Sequence, residues 1–138
     1  MASILKVDTL TGVTTAGSIS VTGEGNSTTT NLQQGLAKVW HHYNQSGTLA
    51  TVDSFNVSSA SDTEVGVTIT SYTNALANDK YVVSGSHNLP SSNTASWVTG
   101  YDDAANFKTG QVTCSTFNAG SGRVDATKAM MSIHGSLA

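Results

Sequence analysis

Short alternations of apolar and polar residues recur along this chain and predict β-strands. In residues 64–70, Val65, Val67 and Ile69 fall on one face of the predicted strand, and Thr68 and Thr70 fall on the other. In 127–134, Ala129, Met131 and Ile133 alternate with Met130, Ser132 and His134 in the same way. Further strands are predicted at 4–10, 18–22, 52–57, 81–85, 95–101 and 110–117, and another is predicted to begin within 40–43. Several short strands separated by turn residues predict a mainly β fold, an antiparallel β-sandwich or barrel-like module.

One short helix is predicted, at residues 31–40. Leu32, Leu36, Val39 and Trp40 lie at roughly helical spacing, and Thr30 or Asn31 offers a cap. Gly35 weakens this helix by about 1 kcal/mol relative to alanine.

The aromatic residues divide the chain into two parts. Residues 1–39 contain none, whereas 40–138 hold both Trp, all four Tyr and all three Phe. Because burial of large side chains supplies most of the folding energy, the core is expected in 40–138. Residues 1–39 are expected to be an extended attachment or oligomerisation segment that packs on the rest of the chain, on sister copies or on a partner. Its expected anchoring positions, with the first aromatic residue after it, are Leu5, Val7, Leu10, Leu32, Leu36 and Trp40.

The low content of charged residues limits the classes of partner that this chain can bind. Only 11% of residues are charged, and Ser and Thr occupy 39 of 138 positions. Six basic residues and a net charge of −3 argue against binding nucleic acid or an anionic membrane. We also expect no transmembrane helix and no signal peptide, since no long apolar run occurs and none follows Lys6.

The four histidines are the first candidates for chemistry. His41 and His42 are adjacent, and adjacent strand residues point to opposite faces, so the pair is expected to be structural. His87 and His134 leave a second interpretation open, in which histidines meet around a trimer axis and bind a metal.

Asp102 and Asp103 are the other candidate pair, because glycoside hydrolysis uses two carboxyl groups. After Tyr101 they are better explained as a solvated turn. Cys114 shares a face with Val112 and is expected to be a small core residue rather than a nucleophile. The sequence therefore predicts a protein that is not an enzyme, with no catalytic, cofactor-binding or metal-binding residues.

Trp97 and Tyr101 are four residues apart and share one face of a predicted strand. A pair of exposed aromatic side chains on a β-surface is a common arrangement for contact with a sugar. The residues themselves favour packing in the core or at a subunit interface.

Several segments resemble short virion proteins of marine tailed bacteriophages. They are residues 4–12, 27–40, 53–59 (DSFNVSS) and 75–83, with 129–134 in the place of the closing strand. The resemblance is strong over 4–83 and diffuse from 84 to about 126.

This resemblance implies a structural role in a tailed-phage virion, of short tail-fibre or surface-adhesin type. It implies a β-rich homotrimer fixed to the particle by its N-terminal segment. Its partners would be itself, other virion proteins of the tail or the major capsid protein, and a host glycan bound by loops at 86–96 and 101–108. The chain has no coiled-coil heptads ahead of the module. A chain of 138 residues without such heptads also fits an alternative, a capsid decoration (cement) protein that stabilises the shell.

Overall fold

The computed structural model describes residues 4–12, 19–23, 29–88, 96–100, 106–118 and 122–136. Strands hold 59% of these residues and a single helical turn holds four more. The expectation of a mainly β, antiparallel fold is therefore confirmed.

The chain divides into two compact units, 1–36 and 37–138. In the first unit, β1 (Ser20–Thr22) pairs antiparallel with β2 (Thr29–Asn31), and Val21 lies opposite Thr30. The helix α1 (Leu32–Gly35) follows directly, and its first amide donates to the Ile19 carbonyl at 2.9 Å.

Two predictions for this region are wrong. Residues 4–10 form no strand, because a strand needs a ladder partner and the described part of the chain offers them none. The helix stops at Gly35 instead of continuing to residue 40. Val39 and Trp40 begin a strand, since pairing into a sheet outweighs the weak helical spacing around Gly35.

The second unit contains ten strands in its described ranges. They are β3 (Val39–Asn44), β4 (Ala50–Phe55), β5 (Val57–Glu64), β6 (Val67–Tyr72), β7 (Val82–Asn88), β8 (Ser96–Gly100), β9 (Phe107–Lys108), β10 (Gln111–Asn118), β11 (Gly122–Arg123) and β12 (Lys128–His134). One sheet runs β11-β10-β6-β5, with β8 and β9 also pairing with β10. The other runs β4-β3-β12-β7, and every pairing is antiparallel.

The apolar core lies between these two sheets, an arrangement consistent with a β-sandwich. From the four-stranded sheet, the prediction for the last strand is confirmed: Ala129, Met131 and Ile133 are buried. From the other sheet, Val112 and Cys114 join the same cluster. The Cys114 thiol lies 3.5 Å from the sulfur of Met131, so the two sheets are in contact at these residues.

The strand predicted at 64–70 is interrupted. β5 ends at Glu64, Val65 and Gly66 form a turn, and β6 begins at Val67. Gly66 has φ +68°, and a Cβ there would lie 2.7 Å from the Val124 amide nitrogen. Only glycine satisfies both constraints, so the turn is fixed at this residue.

The strand predicted at 52–57 is also broken, at Asn56. This residue has φ +59° and separates β4 in one sheet from β5 in the other. Its side-chain amide donates to the carbonyls of Lys38 and Asn74 at 3.1 and 3.0 Å, and its Oδ1 accepts from the Asn74 amide at 2.7 Å. The DSFNVSS segment thus contains the corner at which the chain changes sheets.

Candidate functional site

Residues 4–10, which we name the apolar segment, expose most of their hydrophobic surface. Ile4 and Leu5 are 78% and 80% exposed, and Val7 and Leu10 are 56% and 55% exposed. Apolar side chains gain free energy when they leave water, at about 25 cal/mol per Å². The segment therefore has the chemistry of a peptide that another surface covers.

The other predicted anchoring residues are divided between the two units. In the first unit, Leu32 in α1 is half-buried and Leu36 after it is 56% exposed. Trp40 belongs to the second unit, where it lies in β3 between Phe55 of β4 and Ser132 of β12. Trp40 is thus part of the β module rather than of the N-terminal segment.

The residues predicted to contact a glycan fall mostly outside the described ranges. The backbone of Trp97 lies in β8, opposite Phe117 of β10. Tyr101, the Asp102–Asp103 pair and most of the predicted loops at 86–96 and 101–108 lie outside these ranges.

The four histidines are spread over the four-stranded sheet. His41 is buried, and so is His87, whose Nε2 lies 2.8 Å from the Phe117 carbonyl. His42 and His134 are half-buried and lie opposite Met130 and Val82 in different rows of the sheet. Among the described residues, no three His, Cys, Asp or Glu side chains form a group able to hold a metal ion.

His41 belongs to a polar cluster between the sheets. Its Nδ1 is hydrogen-bonded to the Thr70 hydroxyl at 3.0 Å and its Nε2 to the Thr51 hydroxyl at 2.9 Å. Its ring stacks on Tyr43 with centroids 4.5 Å apart. Burial, with a smaller contribution from neighbouring His42, lowers the pKa of His41 from 6.5 to about 4. The ring is therefore neutral at neutral pH.

A second part of the cluster surrounds Gln45, which is fully buried. Its Nε2 donates to the Thr68 hydroxyl at 2.7 Å, and its Oε1 accepts from the Thr116 hydroxyl at 2.9 Å. Sequence reasoning missed this cluster, because the alternation in β6 indicates two faces but not which is inside. Thr68 and Thr70 are buried, whereas Ile69 is only half-buried.

Cys114 is 1% exposed, as expected for a core residue, and burial raises the pKa of its thiol to about 12. A thiol in this state is a poor nucleophile at neutral pH.

The four-stranded sheet offers two surface features that the sequence did not indicate. Ser84, Gly85, Ser86, Met130, Met131 and Ser132 line an open depression of about 220 Å³ on β7 and β12. At the opposite edge, β4 exposes Val52 (60%) and Phe55 (52%) on either side of Asp53. The strand predicted at 52–57 overlaps β4, but only the sheet order places β4 at an edge.

No helix in the described ranges is long and apolar enough to span a membrane. Comparison of the chain with protein-family models, curated proteins and solved structures finds no match.

Proposed function

We propose that this chain is a structural component of a tailed-phage virion, of short tail-fibre or surface-adhesin type. In this proposal the N-terminal segment anchors the chain to the particle and the β module faces outward. The observation that carries the proposal is the apolar segment, in which Ile4, Leu5, Val7 and Leu10 are more than half exposed. Association with a partner would remove this surface from water.

Two further points support the proposal. The resemblance to phage virion proteins includes both the apolar segment and the DSFNVSS segment, whose Asn56 holds the corner between β4 and β5. The homotrimer, and glycan contact through Trp97 and Tyr101, remain parts of the proposal that the resemblance implies.

Gold labelling of virions of the encoding phage, with an antibody against residues 84–138, tests the location. We expect label on the tail or its appendages. Label spread over the head would support the capsid decoration alternative, and capsid heat resistance would then be compared with and without the protein. Intact particles without label would overturn both assignments.

A variant pair tests the anchoring role. Leu5→Ser with Leu10→Ser removes apolar surface from the apolar segment, whereas Thr9→Ser with Thr11→Ser is a control that keeps it. We expect the first pair to reduce the copies per virion several-fold and the control to leave them unchanged. Deletion of residues 1–28 should weaken attachment and keep the β-sheet circular dichroism signal. Equal incorporation of both pairs would contradict anchoring by these side chains.

A further inference from the structure

β4 is an open sheet edge. Among the residues described, β3 is its one ladder partner, and the strand lies at the end of the order β4-β3-β12-β7. Five of its six residues are exposed. The backbone groups on its free side are available for pairing with a further strand.

The edge formed by β5 is better protected against pairing. Two register shifts interrupt its ladder with β6, and Asp62 and Glu64 lie near its end. Irregular pairing and charge are the usual devices that protect an edge strand. β4 has one register shift and one charged residue, Asp53, beside the exposed Val52 and Phe55.

The apolar segment has the composition of a strand without a partner. Residues 4–10 (ILKVDTL) contain β-branched and apolar residues, and their side chains are exposed. A short exposed strand-forming segment and an open edge in the same chain allow pairing between copies, in which one copy donates the strand that completes the sheet of the next.

We propose that residues 4–10 of one copy add to β4 of a second copy as an antiparallel strand, with Lys6 opposite Asp53. In this register Ile4 lies opposite Phe55. Lys6, the basic residue of the apolar segment, lies opposite Asp53, the one acidic residue of β4. A parallel strand with the same Lys6–Asp53 pair would place Asp8 opposite Phe55, which leaves a charge against an aromatic ring. Charge and hydrophobic pattern therefore select the antiparallel register.

The Asp53 side chain satisfies one backbone amide of β4 before association. Its Oδ1 accepts a hydrogen bond from the Ser54 amide at 2.8 Å. An incoming strand would replace this bond with a backbone ladder, and Lys6 would pair with the released carboxylate.

Strand donation from each copy to the next is a head-to-tail contact, which closes into a ring or continues as a chain. The inference rests on the proposed function only in taking the N-terminal segment as an association element, and it names β4 of a sister copy as its partner.

Cross-linking between two versions of the full chain, each with one introduced cysteine, tests the register. Lys6→Cys chains are mixed with tagged Asp53→Cys chains, or with tagged Ser84→Cys chains as a control on the other edge strand, β7. The native Cys114 is buried and does not interfere. Under oxidation we expect a mixed disulfide dimer with Asp53→Cys and at least about tenfold less with Ser84→Cys. Equal yields with the two partners, or no mixed dimer, would overturn the inference.

A charge exchange gives an independent test by sedimentation. Lys6→Glu or Asp53→Lys alone should weaken self-association about threefold to fivefold, and the double variant should recover it to within about twofold. A monomeric wild-type chain, or a double variant that associates as weakly as the single variants, would overturn strand addition. Gold label on the virion would in that case still support the proposed function. Conversely, self-association of the wild-type chain without gold label on virions would support strand addition and overturn the proposed function.

Discussion

Acidification should destabilise the β module through His41, whose side chain is 1% exposed. The ring lies between the hydroxyls of Thr51 and Thr70 at 2.9 and 3.0 Å. Both hydroxyls can accept, so a protonated ring could still make both hydrogen bonds. The obstacle to protonation is the loss of hydration, which lowers the pKa of His41 from 6.5 to about 4, with a smaller effect of His42.

The direction and size of the change in the free energy of unfolding with pH follow from proton linkage. In the unfolded chain His41 binds a proton near pH 6.5, whereas in the folded chain it does so near pH 4. Between these values the unfolded state binds more protons, so the free energy of unfolding falls as the pH falls. This stabilisation is fully present above pH 6.5 and is lost down to about pH 4. At about 1.4 kcal/mol per pKa unit, it amounts to about 3 kcal/mol, a large part of the roughly 5–15 kcal/mol that stabilises a typical domain.

Urea unfolding at pH 7 and pH 4.5, at one fixed protein concentration, measures this effect. Wild type, His41→Gln and the control His134→Gln are compared, so that other titrating groups cancel. We expect the wild type and His134→Gln to lose about 2 kcal/mol more than His41→Gln between the two pH values.

The same loss in all three proteins would refute the reasoning. If His41→Gln does not fold, the imidazole resonances of wild-type His41 are followed by NMR instead. Titration near pH 6.5 in the folded protein would then contradict a buried, neutral ring.

Three further predictions concern single residues. Asn56→Ala should lower the free energy of unfolding, measured by urea denaturation, by about 2–3 kcal/mol, since it removes three hydrogen bonds at a residue with φ +59°. Asn56→Gly should lose less, because glycine adopts this φ without strain. Equal losses in the two variants would contradict a contribution from backbone strain. Gly66→Ala should lower the free energy of unfolding by about 3 kcal/mol or more, because the new Cβ would lie 2.7 Å from the Val124 backbone. Gly47 has a similar φ and no atom within 4 Å of a Cβ, so Gly47→Ala should lower it by only about 1 kcal/mol. Cys114 should react with a thiol reagent at pH 8 only as fast as the protein unfolds, and rapid labelling of the native chain would count against its burial.

The sequence alone predicted the mainly β class and most strands of the second unit. The closing strand is the clearest case, because Ala129, Met131 and Ile133 alternate with more exposed residues and all three are buried. Cys114 was also placed correctly in the core. The success for the closing strand depends on a period of two, which is a local property of a strand with one buried face.

The errors arose where pairing between distant residues decides the structure. Residues 4–10 have strand-like composition but no described partner, and the helix predicted to reach residue 40 gives way to β3 because Val39 and Trp40 pair with β12. The strand predicted at 64–70 turns at Gly66, where the backbone at Val124 leaves no room for a side chain.

The candidate sites likewise divide into features that the sequence predicted and features that only the tertiary structure decided. Sequence composition identified the apolar segment, since hydrophobic residues without a nearby aromatic core need another surface. Only the tertiary structure made β4 an edge and buried Thr68 and Thr70 beside His41 and Gln45. Alternation along a strand shows that two faces differ, but the face that is buried is decided by the sheet packed against it.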